Sequence, residues 1–459
     1  MFRTALAYIA LFVGAPAAAQ EARLFTDVRI LTMDEDVGVI ERGWVHVENG
    51  RIAAMGSGTP SPDQAAGIQR IEGSGTTLMP GLHDMHVHYW RGSQGLSYLL
   101  NGITSVRNMT GSTSDALLSQ GAADGAILGP RVTGPGPLMD GDPPVRSGIS
   151  LVLTSPEQAV GAVRAQATAY FPAIKLYERL DAETFRAAVA EAKRLDLKIY
   201  AHTPDSLTVE EMLDLGIDSL EHLDGLSEVL VDKERLGDRS GSVAEWAEAE
   251  PARFPEWVGR VKDSGVTGVP TLALSYGRRD ARDEGDAWYD RPELAIFSEN
   301  DVAWWRSSIA EGGFVSRSFP DLDAAIANKV SFVSALREAG VPLLIGTDPP
   351  NPFVLSGYAI HDEFRGFLDA GYTAEEVMRI ATRDAALFSG REDLGIVRSE
   401  ARADLLLVDG DPRSDITVLR RPRGVMVAGH WYDRTALDTA FADRAAQIAS
   451  PATAIASDD

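Results

Sequence analysis

From residue 22 to residue 56 apolar and polar positions largely alternate, as in Asp27-Val28-Arg29-Ile30 and Val45-His46-Val47-Glu48. Asn49-Gly50 follows, a pair suited to a tight hairpin turn. The chain closes in the same manner, with Asp404-Leu405-Leu406-Leu407-Val408 and then Val425-Met426-Val427-Ala428-Gly429-His430. Between these ends the pattern changes. Short apolar runs alternate with stretches of helical period, which implies strand–helix units and a parallel sheet. Eight runs read as strands: 78–88, 103–107, 131–134, 173–177, 198–202, 219–222, 268–274 and 343–348. Amphipathic helices are expected over 182–195 and 207–215.

Eight such units over roughly 300 residues match a closed barrel. The predicted architecture is α/β, a (β/α)8 TIM-like barrel with a small β-sandwich domain formed from both chain ends. An open doubly wound sheet is the alternative, but no Gly-rich phosphate loop follows an early strand. The predicted boundaries are 20–78 for the first part of the small domain, 79–396 for the barrel, 397–435 for its second part, and 436–459 for a C-terminal helix and tail. Residues 275–328 form a connection too long for a bare loop, rich in aromatics such as Trp288, Tyr289, Trp304 and Trp305. It reads equally as a lid or as an outer helical layer.

Residues 1–19 combine one early cation, Arg3, with an apolar run and Ala17-Ala18-Ala19, the pattern of a secretory signal. Export is therefore expected, to a bacterial periplasm or the medium. The run is too short to span a bilayer, and no later stretch is apolar enough. The 459 residues carry a formal charge of −24, which disfavours nucleic acid and anionic lipid as partners. Cysteine is absent, so a metal site must use His, carboxylates or a modified Lys.

Polar residues recur where the predicted strands end. His86 and His88 lie two apart, on one face of the first strand, and can grip one metal together. Lys175 and Tyr177 close the fourth strand, His202 the fifth, His222 the sixth and Asp348 the eighth. Each alone is an ordinary strand-end residue. Together they occupy the end where barrel enzymes place their chemistry.

The run Leu78-Met79-Pro80-Gly81-Leu82-His83-Asp84-Met85-His86-Val87-His88 resembles the opening motif of the amidohydrolase superfamily. The similarity continues through Gly102 to Arg107, Lys175, Ala201-His202, Ser219 to His222, Gly346-Thr347-Asp348 and Arg402 to Leu405. It points to the prolidase-like and carboxypeptidase-like branch, with two metals and a carboxylated lysine. The resemblance implies two divalent ions, zinc by default. His86, His88 and Asp348 would hold the more buried one, and His202 and His222 the more exposed one. Lys175, carboxylated by carbon dioxide on its side-chain nitrogen, would bridge them. A hydroxide shared by the ions would attack the substrate carbonyl. Asp348 would carry its proton to the leaving nitrogen, and Tyr177 would bind the oxyanion or a substrate carboxylate. The implied substrate is a small peptide or amide, a dipeptide or N-acyl amino acid. Two alternatives stay open: a single-metal ring deaminase or hydrolase of a cyclic amide, lactone or carbamate, and a catalytically silent metal- or ligand-binding protein. Whether the chain forms a homo-oligomer is also open. Four further expectations concern neighbours of the set. Asp84 would orient a ligand histidine, Arg107 would bind a carboxylate, and His361 would be structural. Asn108 stands where family members often have Asp.

Overall fold

The computed structural model describes residues 22–450. The segment read as an export signal and the last residues of the predicted tail lie outside them. Among the described residues no helix is long and apolar enough to cross a membrane.

Strands β1 (Arg23–Leu31), β2 (Val39–Glu48), β3 (Arg51–Ser57), β4 (Gln69–Glu72) and β5 (Thr76–Pro80) come first. The middle of the chain contributes β6 (Leu82–Val87), β7 (Ile103–Asn108), β8 (Arg131–Thr133), β9 (Leu138–Asp140), β10 (Ser150–Val152), β11 (Ala173–Leu176), β12 (Lys198–Ala201), β13 (Ser219–Glu221) and β14 (Thr267–Val269). The end supplies β15 (Leu405–Asp409), β16 (Gly424–Val427) and β17 (His430–Asp433).

Strands from both ends join one sheet in the order β17-β16-β15-β5-β1-β2-β3, with β4 beside β1. Asn49 and Gly50 both take positive φ in the β2–β3 turn, as a two-residue hairpin of matching twist requires. The inner face of this sheet buries Phe25, Val45, Leu78, Leu405 and Met426. The first predicted strand divides in two. β5 pairs antiparallel with β15, whereas β6 pairs parallel with β7. Gly81 marks the change of sheet, and a Cβ there would overlap Thr104.

The middle strands form parallel ladders, β6-β7-β8 and β10-β9-β11-β12-β13-β14. β9 and β10 were not anticipated; three residues give too short a period to read. The seventh predicted strand ends early, at Val269, and a helix begins at Ala273. The eighth, 343–348, is not a regular strand but an isolated bridge at Leu343, held by a few backbone hydrogen bonds on both sides. Leu344 N donates to Gly268 O at 2.9 Å, and Met85 N donates to Ile345 O at 2.8 Å. Gly346 permits this close passage, since a Cβ there would lie 2.8 Å from the Cβ of His86. The helices Ala182–Arg194 and Val209–Asp214 fall where the periodicity places them. Asp181 and Thr208 cap their N-termini with side-chain acceptors.

The aromatic segment does hold helices, Ala273–Glu284 and Glu299–Ile309 among them. Its residues divide between the two readings. Trp288, Trp305 and Phe353 form a buried cluster, with ring centroids of Trp288 at 5.9 Å from Trp305 and 4.9 Å from Phe353. Trp304, the residue just before Trp305, instead lines a separate cavity at the strand ends. Trp305 also donates from Nε1 to Pro350 O at 3.4 Å, two residues beyond Asp348. Trp305→Ala should therefore cost about 3–5 kcal/mol of stability, read as a lower urea midpoint.

Candidate metal centre

Lys175 lies in β11, His86 near the end of β6, and His88, Tyr177, His202 and His222 directly after β6, β11, β12 and β13. All sit at C-terminal strand ends, and together with Asp348 they line one cavity of about 310 Å³. The structure thus brings every predicted site residue to one place. The His86 and His222 rings lie 4.6 Å apart, those of His202 and His222 4.8 Å, and those of His86 and His88 5.7 Å. Two of the backbones are in the left-handed region, His222 at φ 62° and Asp348 at φ 63°. Such conformations cost on the order of 1–3 kcal/mol for ordinary residues and cluster at functional sites.

The hydrogen bonds define which nitrogen each histidine presents. His86 Nδ1 lies 2.6 Å from Glu221 Oε2, so Nδ1 carries the proton and Nε2 keeps its lone pair. His202 Nδ1 donates to Glu178 Oε1 at 3.1 Å. Thr271 donates its hydroxyl to Pro270 O and so accepts from His222 Nδ1, 2.8 Å away. His88 Nδ1 pairs with the Thr110 hydroxyl. On the other side of the rings, Nε2 of His88, His86 and His222 lie 3.0, 3.5 and 3.9 Å from the Asp348 carboxylate. Burial holds His86, His202 and His222 below their ordinary pKa, the last two far below, and so keeps them neutral. Neutral imidazoles with Nδ1 engaged and Nε2 free are the form that binds a divalent ion. His86, His222 and Asp348 offer ligand atoms all within 4.8 Å of one another.

Asp348 is a carboxylate here. Burial pushes its pKa up, but the His86 and His88 rings outweigh that and hold it well below the usual range. Asn351 Nδ2 donates to its Oδ2 at 2.8 Å. Lys175 is only 1% exposed, and among the described residues its Nζ has no hydrogen-bond partner. Burial, with Arg107 adding to it, lowers its pKa to about 8. A buried amine without an acceptor is costly as a cation. Such an amine surrounded by histidines and an aspartate is suited to modification into an anion that binds metal. The donor set therefore fits a divalent metal centre.

Several neighbours have roles other than those expected. Arg107 does not face the cavity. It donates to Met85 O at 2.5 Å, Ser219 Oγ at 3.1 Å and both Glu221 oxygens at 3.0 and 3.1 Å, with its guanidinium 4.3 Å from the Tyr200 ring centroid. Burial would raise the Glu221 pKa, but Arg107, Lys175 and His86 hold it well below the carboxylate range. Glu221, not Asp84, orients His86. Asp84 instead accepts from Thr347 N at 3.1 Å, from the Thr347 hydroxyl and from His86 N at 3.3 Å. It ties β6 to the segment carrying Asp348. Asn108 is structural: its amide bonds Tyr89 and Asp115, and its Oδ1 accepts from Tyr89 N and Thr110 N. His361 is buried against Asn101 Oδ1 at 3.0 Å, a structural residue as expected. The sequence reading passed over Glu221, Thr110, Thr271 and Arg146. Arg146 lines the cavity and hydrogen-bonds the Tyr177 hydroxyl. Glu221→Gln should leave the buried Arg107 charge uncompensated. A loss of about 3–5 kcal/mol in denaturant unfolding is expected.

A cluster of histidines, a carboxylate and a buried lysine at the C-terminal ends of parallel strands forms a candidate metal site on an α/β fold. Residues 77–432 match the model of the amidohydrolase family, and the chain belongs to that family. Its structure is similar to that of bottromycin amidohydrolase, at 23% identity and a TM-score of 0.73, covering 94% of this chain and 92% of that one. It is also similar to a candidate prolidase from Bifidobacterium longum, at 23% identity and a TM-score of 0.65, covering 93% and 100%. These likenesses concern the fold. Among curated proteins, an imidazolonepropionase of Alkaliphilus oremlandii is 45% identical over 56 residues, 12% of this chain and 13% of that protein. The chain spans 26% or less of the length of the curated relatives it matches.

Proposed function

We propose that the chain is a two-metal hydrolase of amide or peptide bonds in small substrates, dipeptides or N-acyl amino acids. The observation that carries this reading is the buried, unpartnered Lys175 amine among four histidines with engaged Nδ1 atoms. Family membership and the prolidase-like fold support it. His86, His88 and Asp348 would hold one divalent ion, by default zinc, and His202 and His222 a second. Lys175, carboxylated on Nζ, would serve both. Bound ions would supply an activated water and polarise the scissile carbonyl.

The protein's own groups do the rest. Asp348, steadied by Asn351, accepts a proton and delivers it to the leaving nitrogen. Burial raises the Tyr177 pKa, so the phenol stays protonated and donates to the developing oxyanion. Its ring packs on His202 at 4.2 Å and its hydroxyl is held by Arg146, which limits its motion. Trp90 and Trp304, both partly exposed, also line the cavity. The same reading takes the two parallel ladders and segment 342–348 as one (β/α)8 barrel, and the terminal sheet as a β-sandwich domain.

A second reading, a single-metal enzyme acting on a ring, is favoured by the compact His86, His222 and Asp348 group and by the imidazolonepropionase stretch. A panel of dipeptides, N-acyl amino acids, lactones and imidazolones separates the two. Turnover of linear amides is expected. Turnover of rings alone would transfer the assignment to the second reading.

A further inference from the structure

A second cavity, of about 250 Å³, opens from the first and shares Arg146, Tyr177, His202, His222 and Asp348 with it. Its far wall is formed by Arg278, from the helix Ala273–Glu284, and Lys329, from the helix Leu322–Glu338. Among the described residues neither side chain makes a hydrogen bond or ion pair, and Arg278 Nε is sealed from solvent without an acceptor. Lys329 is 8% exposed, with its Nζ 5.7 Å from the centroid of the Trp246 ring, another lining residue. Two partly buried cations that face one cavity without an ion-pair partner repel each other, and that cost is recovered when an anion arrives.

The positions are well defined. Asn328, beside Lys329, donates to Trp246 O and Ala247 O at 3.0 Å each and locks its helix to the one carrying Trp246. The acids nearby have other partners. Asp348 faces the histidines, Glu178 accepts from His202, and Asp224 accepts from Thr203 N at 2.9 Å. Glu363, whose field reaches Lys329, accepts from Ala273 N at 2.7 Å.

We propose that Arg278 and Lys329 form the subsite for a carboxylate of the substrate, placed one cavity beyond the bond that is cleaved. The planar fork of Arg278 matches the two oxygens of a carboxylate, and Lys329 adds a point charge. The inference rests on the hydrolase reading and assigns the side chains that recognise the carboxylate such substrates carry. A substrate spanning both cavities sets its amide against Asp348 and Tyr177 and its carboxylate against the cation pair.

The test has two arms. In the first, hydrolysis of N-acetyl-leucine is compared with that of N-acetyl-leucinamide in wild type, Arg278→Met, Lys329→Met and Arg278→Lys. Wild type should prefer the acid, the preference should fall about tenfold or more in each Met variant through KM, and Arg278→Lys should retain part of it. Equal turnover of acid and amide by wild type, or an unchanged preference in both Met variants, would overturn the subsite. The second arm needs no turnover. Calorimetric titration of the metal-loaded protein with leucine and leucinol, which lacks the carboxylate, should show leucine binding more tightly in wild type, and that advantage should be lost in the Met variants. If neither amide is cleaved yet this advantage depends on Arg278 and Lys329, the subsite stands and the hydrolase reading fails. A leucine advantage independent of both residues overturns the subsite itself.

Discussion

Lys175→Met should abolish most hydrolysis while making the metal-free protein more stable. The two effects have one cause. In the metal-free protein the Lys175 amine is buried without an acceptor, and burial lowers its pKa from 10.5 to about 8. A lysine whose folded pKa is depressed disfavours folding wherever the unfolded chain holds the proton more tightly. The stability of metal-free wild type should thus rise between pH 8 and pH 10.5, by roughly 3 kcal/mol. Lys175→Met removes both the penalty and that pH dependence, because Met fills similar space with no charge. The loss of activity follows from the proposed role as the anion that serves both metals, and should be on the order of 10³-fold or more. Carboxylation requires the neutral amine, so raising the pH through 8 and adding bicarbonate should speed activation of wild type only. A variant that keeps full turnover, or is less stable than wild type when metal-free, would remove Lys175 from this role.

Asp348→Asn should retain folding and the substrate KM, and lose on the order of 10²–10⁴ in kcat, the usual contribution of a positioned acid–base group. Backbone strain does not confuse this test. Asp348 has φ 63°, a conformation that Asn tolerates as well as Asp. The substitution removes the carboxylate that the histidines hold ionised and that Asn351 steadies. Since that carboxylate is the proposed proton carrier and its pKa lies well below the usual carboxylate range, the loss should be similar at every pH at which the protein stays folded. Unchanged kcat would assign proton transfer to another group, with Glu178 beside His202 the next to examine.

The chemistry-bearing residues were legible because strand geometry and strand ends leave a local pattern. His86, His88, Lys175, Tyr177, His202, His222 and Asp348 could each be placed from a short apolar run followed by a polar residue. Their partners could not. Glu221 stands 135 positions from His86 and lies in a different ladder, so the two meet only through tertiary packing. Adjacent strand residues ordinarily point to opposite faces, so the strand pattern alone gives Glu221 and His222 no common site. The left-handed turn at His222 re-aims its ring, so both serve one site. Arg107 sits in a strand of the right character, but whether its guanidinium reaches substrate or a buried acid depends on packing that no local pattern encodes. The division of Trp304 from Trp305 is similar. Consecutive helix residues diverge by about 100°, and the element each one meets is decided by tertiary contacts. The terminal sheet was legible in its alternation and its Asn49-Gly50 turn, while β9 and β10 were too short to show.

The central claim is that this site holds a pair of metals organised by Lys175. Elemental analysis of protein loaded with zinc and bicarbonate, desalted and counted per chain, tests it most directly. About two ions per chain are predicted for wild type, falling to one or fewer in Lys175→Met. A single ion per chain in wild type, unchanged by the loss of Lys175, would contradict it.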